Sequence, residues 1–174
     1  NCLVGAGIRD QIKIGASGRI ITAFDMVRVM ALGADWCNAA RGFMFAVGCI
    51  QSLSCHTDHC PTGVATQDQR RQKALVVPDK AERVRRFHKS TLIALGELIC
   101  AAGLSAPGQI QPSQIMKRLS PLDVRSFAEI YPFLQDGELL GTSADATYAK
   151  IWAMADANSF VAHTAKPHLE LLTA

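Results

Sequence analysis

The chain has 174 residues, enough for one domain with its own core, and 49% apolar with 19% charged residues is an ordinary globular composition. A net charge of +3, with Arg70 and Arg71 making only a short basic cluster, gives no electrostatic case for nucleic acid. No stretch is long and apolar enough to span a membrane: Phe43–Ile50 is short, and Leu92–Leu104 is interrupted by Gly96, Glu97 and Gly103.

The chain starts in mid-flow at Asn1, with an apolar run and no signal-peptide pattern, so it is expected to be part of something longer. Ile12–Ala16 reads as a short buried strand, followed by a turn at Ser17, Gly18 and Arg19. Thr22 with Asp25 three residues on is a capping-box pattern, and the helix it opens should stop at Gly33. Asp35–Ala39 is the next strand candidate. Ala40, Arg41 and Gly42 then read as a tight turn before a helix from about Phe43 to Ser52 that carries Cys49. The order strand–helix–strand–helix is the βαβ rhythm of a parallel sheet. Two such units do not close a barrel, and the Ile12–Ala16 edge would be left open.

Leu53–Arg70 has no period and reads as a loop. A long helix follows, with Asp79 and Glu82 as its cap signal and Ala81, Val84, Phe87, Leu92, Leu95, Leu98 and Ile99 at helical spacing; Gly103 ends it. Glu82 stands one turn from Arg85 and Arg86. After a connector at Pro107–Pro112, one short helix is predicted over Ser113–Leu119 and another starting at Ser120–Pro121. A last helix is expected near Ala144–Ala157.

Three of the six cysteines, Cys49, Cys55 and Cys60, are spaced C-x5-C-x4-C in the loop, while Cys2, Cys37 and Cys100 sit in apolar segments. The uneven spacing is not that of a secreted disulfide scaffold and points to a reducing, cytoplasmic setting. Clustered thiolates bind soft metals and iron–sulfur clusters. Spacing alone leaves three readings open: small buried thiols, zinc with His56 or His59 as a fourth ligand, or an iron–sulfur cluster. The turns Ser17-Gly18-Arg19 and Ala40-Arg41-Gly42 each follow a strand and precede a helix. Such turns suit a phosphate, although Gly in a strand–helix turn is most often only a turn. His88, His163 and His168 carry no catalytic assignment.

The run GCIQSLSCHTDHCPTGVATQD resembles the cluster-binding segment of glutamate synthase. Upstream, ASGRIITAFDMVRVMALGADWCNAARGFMFAVGC resembles the last two β/α units of that family's FMN-binding barrel. The helix DKAERVRRFHKSTLIALGELICAAGL and the tail RLSPLDVRSFAEIYPFL are similar to the shorter FMN-binding glutamate-synthase-like proteins. The resemblance implies an α/β fold: the last two β/α units of a TIM barrel, a cluster-binding loop and C-terminal helices. It divides the chain into a barrel end over 1–104, with the iron–sulfur loop at 49–67, and a helical extension over 105–174.

It also implies roles. Cys49, Cys55 and Cys60 would hold a [3Fe–4S] cluster. Ser17, Gly18, Arg19, Ala40, Arg41 and Gly42 would hold the FMN phosphate. Arg19 replaces a second glycine of the family pattern and Arg41 a small hydroxyl residue; both would add charge-assisted hydrogen bonds. The implied reaction makes L-glutamate by FMN-dependent reduction of 2-iminoglutarate, formed from 2-oxoglutarate and ammonia or glutamine-derived ammonia. An electron-donor subunit or a ferredoxin would supply the electrons. Groups at the flavin ring and the substrate would lie upstream, so no catalytic acid or base is assigned. The alternatives are the same cofactors acting on another substrate, or a metal-stabilised domain that binds a partner through its open edge.

Overall fold

The computed structural model describes residues 1–141 and 146–161. Helices and strands follow in the order α1 (Cys2–Gly5), β1 (Gly15–Ser17), α2 (Ala23–Ala31), β2 (Trp36–Asn38), α3 (Ala40–Val47), α4 (Gln69–Gln72), α5 (Val77–Ala101), β3 (Met116–Arg118), β4 (Val124–Ser126), α6 (Phe127–Ile130) and α7 (Ala146–Ala153). The fold is mixed α/β. The chain forms two compact units, one of Ile14–Tyr131 and one joining Asn1–Lys13 to the segment from Pro132 onward.

In the larger unit β1 and β2 pair in parallel, with Gly15 opposite Trp36 and Ser17 opposite Asn38. Helix α2 connects them, so the βαβ order read from the sequence is present. The capping box at its start is also present: Asp25 N–H donates to Thr22 Oγ1 at 3.2 Å, and Thr22 N–H donates to Asp25 Oδ2 at 3.0 Å. Gly33, at φ +106°, follows the last turn as expected. Helix α2 buries Ala23, Val27 and Ala31 against Leu95 and Ile99 of α5, and Ile110, Ile115 and Phe127 complete the core. Their spacing at i, i+4 and i+8 on α2 is the stripe a helix needs to bury one face. Helix α3 rests on α5 through an edge-on contact of Phe43 and Phe87, 5.4 Å between centroids.

Several predicted boundaries move. The strand expected over Ile12–Ala16 is confined to Gly15–Ser17, and Ile12 is 39% exposed rather than buried. Ala40, Arg41 and Gly42 are not a turn but the first turn of α3, and α3 ends at Val47, so Cys49 lies beyond it. Gly48, at φ +124°, takes the position that stops the helix. Helix α5 starts at Val77 with Pro78 in its first turn, ahead of the Asp79 signal.

The helix expected over Ser113–Leu119 is a 3-10 turn at Pro112–Gln114 followed by β3, which pairs antiparallel with β4. Ser120-Pro121 does not open a helix; it is the hairpin turn, where Leu119 N–H donates to Asp123 O at 2.9 Å. Proline suits the second position of a turn as well as the first position of a helix. The helix start is six residues later, at Ser126, whose capping box with Glu129 opens α6.

In the smaller unit Asn1 ties the segments together. Its Nδ2 donates to Pro132 O and to the Tyr148 hydroxyl, each at 2.7 Å. Gly137 N–H donates to Val4 O at 2.9 Å. Helix α7 lies within the expected Ala144–Ala157 region; His163 and His168 lie outside the described residues. No helix among the described residues is long and apolar enough to cross a membrane.

Candidate cofactor sites

The parallel register sets Ser17 opposite Asn38, so the chain leaves both strands at the same end. There Gly18 and Arg19 turn with φ of +99° and +53°, and nothing stands within 4 Å of where a Gly18 Cβ would be. Ser17, Gly18 and Arg19 are exposed. From β2 the chain enters α3 after Ala39, which has no side-chain cap. The first N–H groups of a helix have no partner within it. Those of Ala40, Arg41 and Gly42 are therefore open donors at the positive end of the α3 dipole. Gly42 is buried because α3 comes close to α5 here: a Cβ on it would stand 2.9 Å from Phe87 Cζ.

The cysteine loop begins where α3 stops. Cys49 N–H donates back to Met44 O at 3.0 Å, so this cysteine is anchored to the helix end. Cys55 is exposed in a 3-10 turn at Cys55–Thr57. Cys60 is buried, 5% exposed. Its sulfur lies 3.5 Å from Thr62 Oγ1. The Thr62 hydroxyl, then the N–H groups of Ala65, Thr62 and Val64, lower its thiol to about 7, against the opposing effect of burial. Such an environment favours the thiolate, the form that ligates metals.

The loop is held by its own polar groups. Asp58 adopts φ +65°, its Oδ1 accepts from Gln67 N–H at 2.6 Å, and its carbonyl accepts from Thr66 Oγ1 at 2.5 Å. Arg71 Nη1 donates to His59 O at 3.2 Å. At Gly63, φ +77°, a Cβ would run into the Arg71 carbonyl. Gln51 and Leu53 also have positive φ. This backbone is costly for residues with side chains.

All six cysteines are free thiols. No group of three or more Cys, His, Asp or Glu side chains among the described residues gathers as closely as one metal ion requires. A multi-iron cluster spreads its ligands wider than one ion, and an open cavity lies beside the loop. A cavity of about 420 Å³ is lined by Gly48, Cys49, Ile50, Thr62, Lys80 and Arg83, among others. Cys49 reaches it directly, and Thr62 joins it to Cys60. Of the three cysteines, Cys49 lines this space, and thiolates are the ligands that iron–sulfur clusters take.

Thr62, Arg71, Lys80 and Arg83 carried no assignment from sequence. Thr62 stands two residues from Cys60, a local signal. The other three reach the loop only through tertiary structure.

The family profile described as "Conserved region in glutamate synthase" matches residues 1–105. The glutamate synthase large subunit-like protein YerD of Bacillus subtilis is 46% identical over 112 residues, 64% of this chain and 21% of that protein. The archaeal glutamate synthase (NADPH) of Methanocaldococcus jannaschii is 36% identical over 100 residues, 58% of this chain and 20% of that protein. Ferredoxin-dependent glutamate synthase 2 of Synechocystis is 40% identical over 72 residues, 41% of this chain and 5% of that protein. The chain thus spans about a fifth or less of the length of these relatives. With the profile covering more than half of its residues, the chain belongs to the glutamate synthase family.

Proposed function

We propose that this chain forms the last two β/α units of an FMN-binding barrel and the cluster arm of a glutamate-synthase-type oxidoreductase. The observation that carries the reading is the loop with Cys49, Cys55 and Cys60 beside an open cavity, in a chain of this family. When bound, FMN supplies hydride transfer to 2-iminoglutarate, giving L-glutamate, and a [3Fe–4S] cluster supplies one-electron transfer from an outside donor.

In this reading the residues of the chain bind and orient. The open N–H groups of Ala40, Arg41 and Gly42 bind the flavin phosphate together with Ser17 and Gly18 of the neighbouring turn. Arg19 and Arg41 add charge. Cys49, Cys55 and Cys60 ligate the cluster, and the Thr62 hydroxyl favours the thiolate form of Cys60. The electron donor is a reduced-nicotinamide subunit or a ferredoxin, and the substrates are 2-oxoglutarate and ammonia, free or derived from glutamine.

The test is product analysis on the cofactor-loaded protein with 2-oxoglutarate, ammonia and a reduced donor. Glutamate is the expected product. Flavin reduction without glutamate would sink the substrate assignment and leave the same cofactors acting on something else.

A further inference from the structure

Helix α5 brings two cations to the cysteine loop that the loop's own hydrogen bonds do not use. Lys80 and Arg83 are one turn apart and both line the cavity that Cys49 reaches. Lys80 Nζ and Arg83 Nη1 stand 3.6 and 3.9 Å from where a Cβ on Gly48 would lie, beside the first cysteine. The carboxylates of α5 leave the pair with net positive charge. Glu82 is taken by Arg85 and Arg86, each at 2.6 Å. Asp79, 60% exposed, is 3.7 Å from Lys80, a long contact for an ion pair. Arg83 has no hydrogen bond or ion pair among the described residues. Two cations at a cavity wall, with one exposed carboxylate beside Lys80, leave net positive charge there that favours an anionic occupant.

We propose that Lys80 and Arg83 are positioning charges for the iron–sulfur cluster, and that they raise its reduction potential. This rests on Cys49, Cys55 and Cys60 being its ligands. Three thiolates outweigh the charge of the iron–sulfide core, so the bound cluster is an anion, and reduction adds one more electron without making or breaking a bond. A nearby cation stabilises the reduced form more than the oxidised form.

The experiment is a dithionite titration of the anaerobically prepared holoprotein, followed by electron paramagnetic resonance. Changing Lys80→Gln with Arg83→Gln should make reduction roughly tenfold less favourable, a midpoint about 59 mV lower for a one-electron couple. The charge-conserving pair Lys80→Arg with Arg83→Lys should keep the original midpoint. An unchanged midpoint in the glutamine variant overturns the proposal, as does an equal fall in both variants, which would assign the effect to shape. Loss of the cluster from the glutamine variant alone supports it, since the charge would then be holding the anion; loss from both overturns it. Absence of any three-iron signal in the unsubstituted protein is a separate failure, which removes the cluster assignment and this proposal with it.

Discussion

Helices α2 and α3 each follow a three-residue strand of one parallel pair, yet only α2 closes its own N-terminus. Asp25 Oδ2 accepts from the N–H groups of Ile21 and Thr22 and from the Thr22 hydroxyl, at 2.9–3.2 Å. The positive end of α2 is thereby satisfied by the chain itself. Helix α3 has Ala39 in the capping position and no acidic residue in its first turn, so its donors stay available. A helix N-terminus without a cap leaves N–H donors that an anion can take. In the proposed site the phosphate takes at α3 the role that Asp25 takes at α2.

Giving α3 a carboxylate of its own should have the largest effect. Ala39→Asp supplies a cap where none exists. It should stabilise the flavin-free protein by about 1 kcal/mol while weakening FMN binding by roughly tenfold or more through lost donors and repulsion. Fluorescence titration with FMN beside thermal unfolding reads both signs, and a variant that gains stability yet binds FMN as well as before breaks the comparison. Next in size is Gly42→Ala, whose new Cβ meets the Phe87 ring at 2.9 Å. A cost of about 1–3 kcal/mol is expected from overpacking between α3 and α5, measured by denaturant unfolding.

Thr22→Ala should cost about 1 kcal/mol by removing the α2 cap and leave FMN affinity unchanged. A loss of affinity there would mean that α2 shares the phosphate. The smallest effect is a pH dependence. Hydrogen bonds from Thr22, its backbone N–H first, hold the Asp25 carboxyl below its ordinary value of 3.8. Its contribution is therefore present above that value and lost as pH falls through the lower folded one. Between pH 5 and pH 3 the stability difference between the protein and its Asp25→Asn variant should shrink; a constant difference would contradict the cap's electrostatic role.

Local signals were the legible ones. Thr22 and Asp25, the βαβ order and the C-terminal part of the α5 stripe rest on near neighbours and stand in the structure, where Leu95 and Ile99 are buried while Leu92 of the same stripe is exposed. Ser113–Leu119 misread as a helix because β3 exists only through its pairing with Val124–Ser126 and the inward placement of Ile115, which is 5% exposed. Ala40–Gly42 read as a turn because its small residues look alike at a turn and at a close helix–helix contact with Phe87. The cysteine spacing was plain to see, whereas the cations facing Cys49 come from α5, some thirty residues on, and from sequence were only charges on a helix.

The central claim is the cluster at Cys49, Cys55 and Cys60, and low-temperature electron paramagnetic resonance with iron and sulfide analysis on anaerobically prepared protein tests it most directly. Cys55 is exposed, so Cys55→Ser removes a ligand with little loss of packing. An oxidised three-iron signal in the protein, lost in that variant, is the expected result. Protein without iron, or with zinc in its place, would contradict the account and leave the cysteine loop with another use.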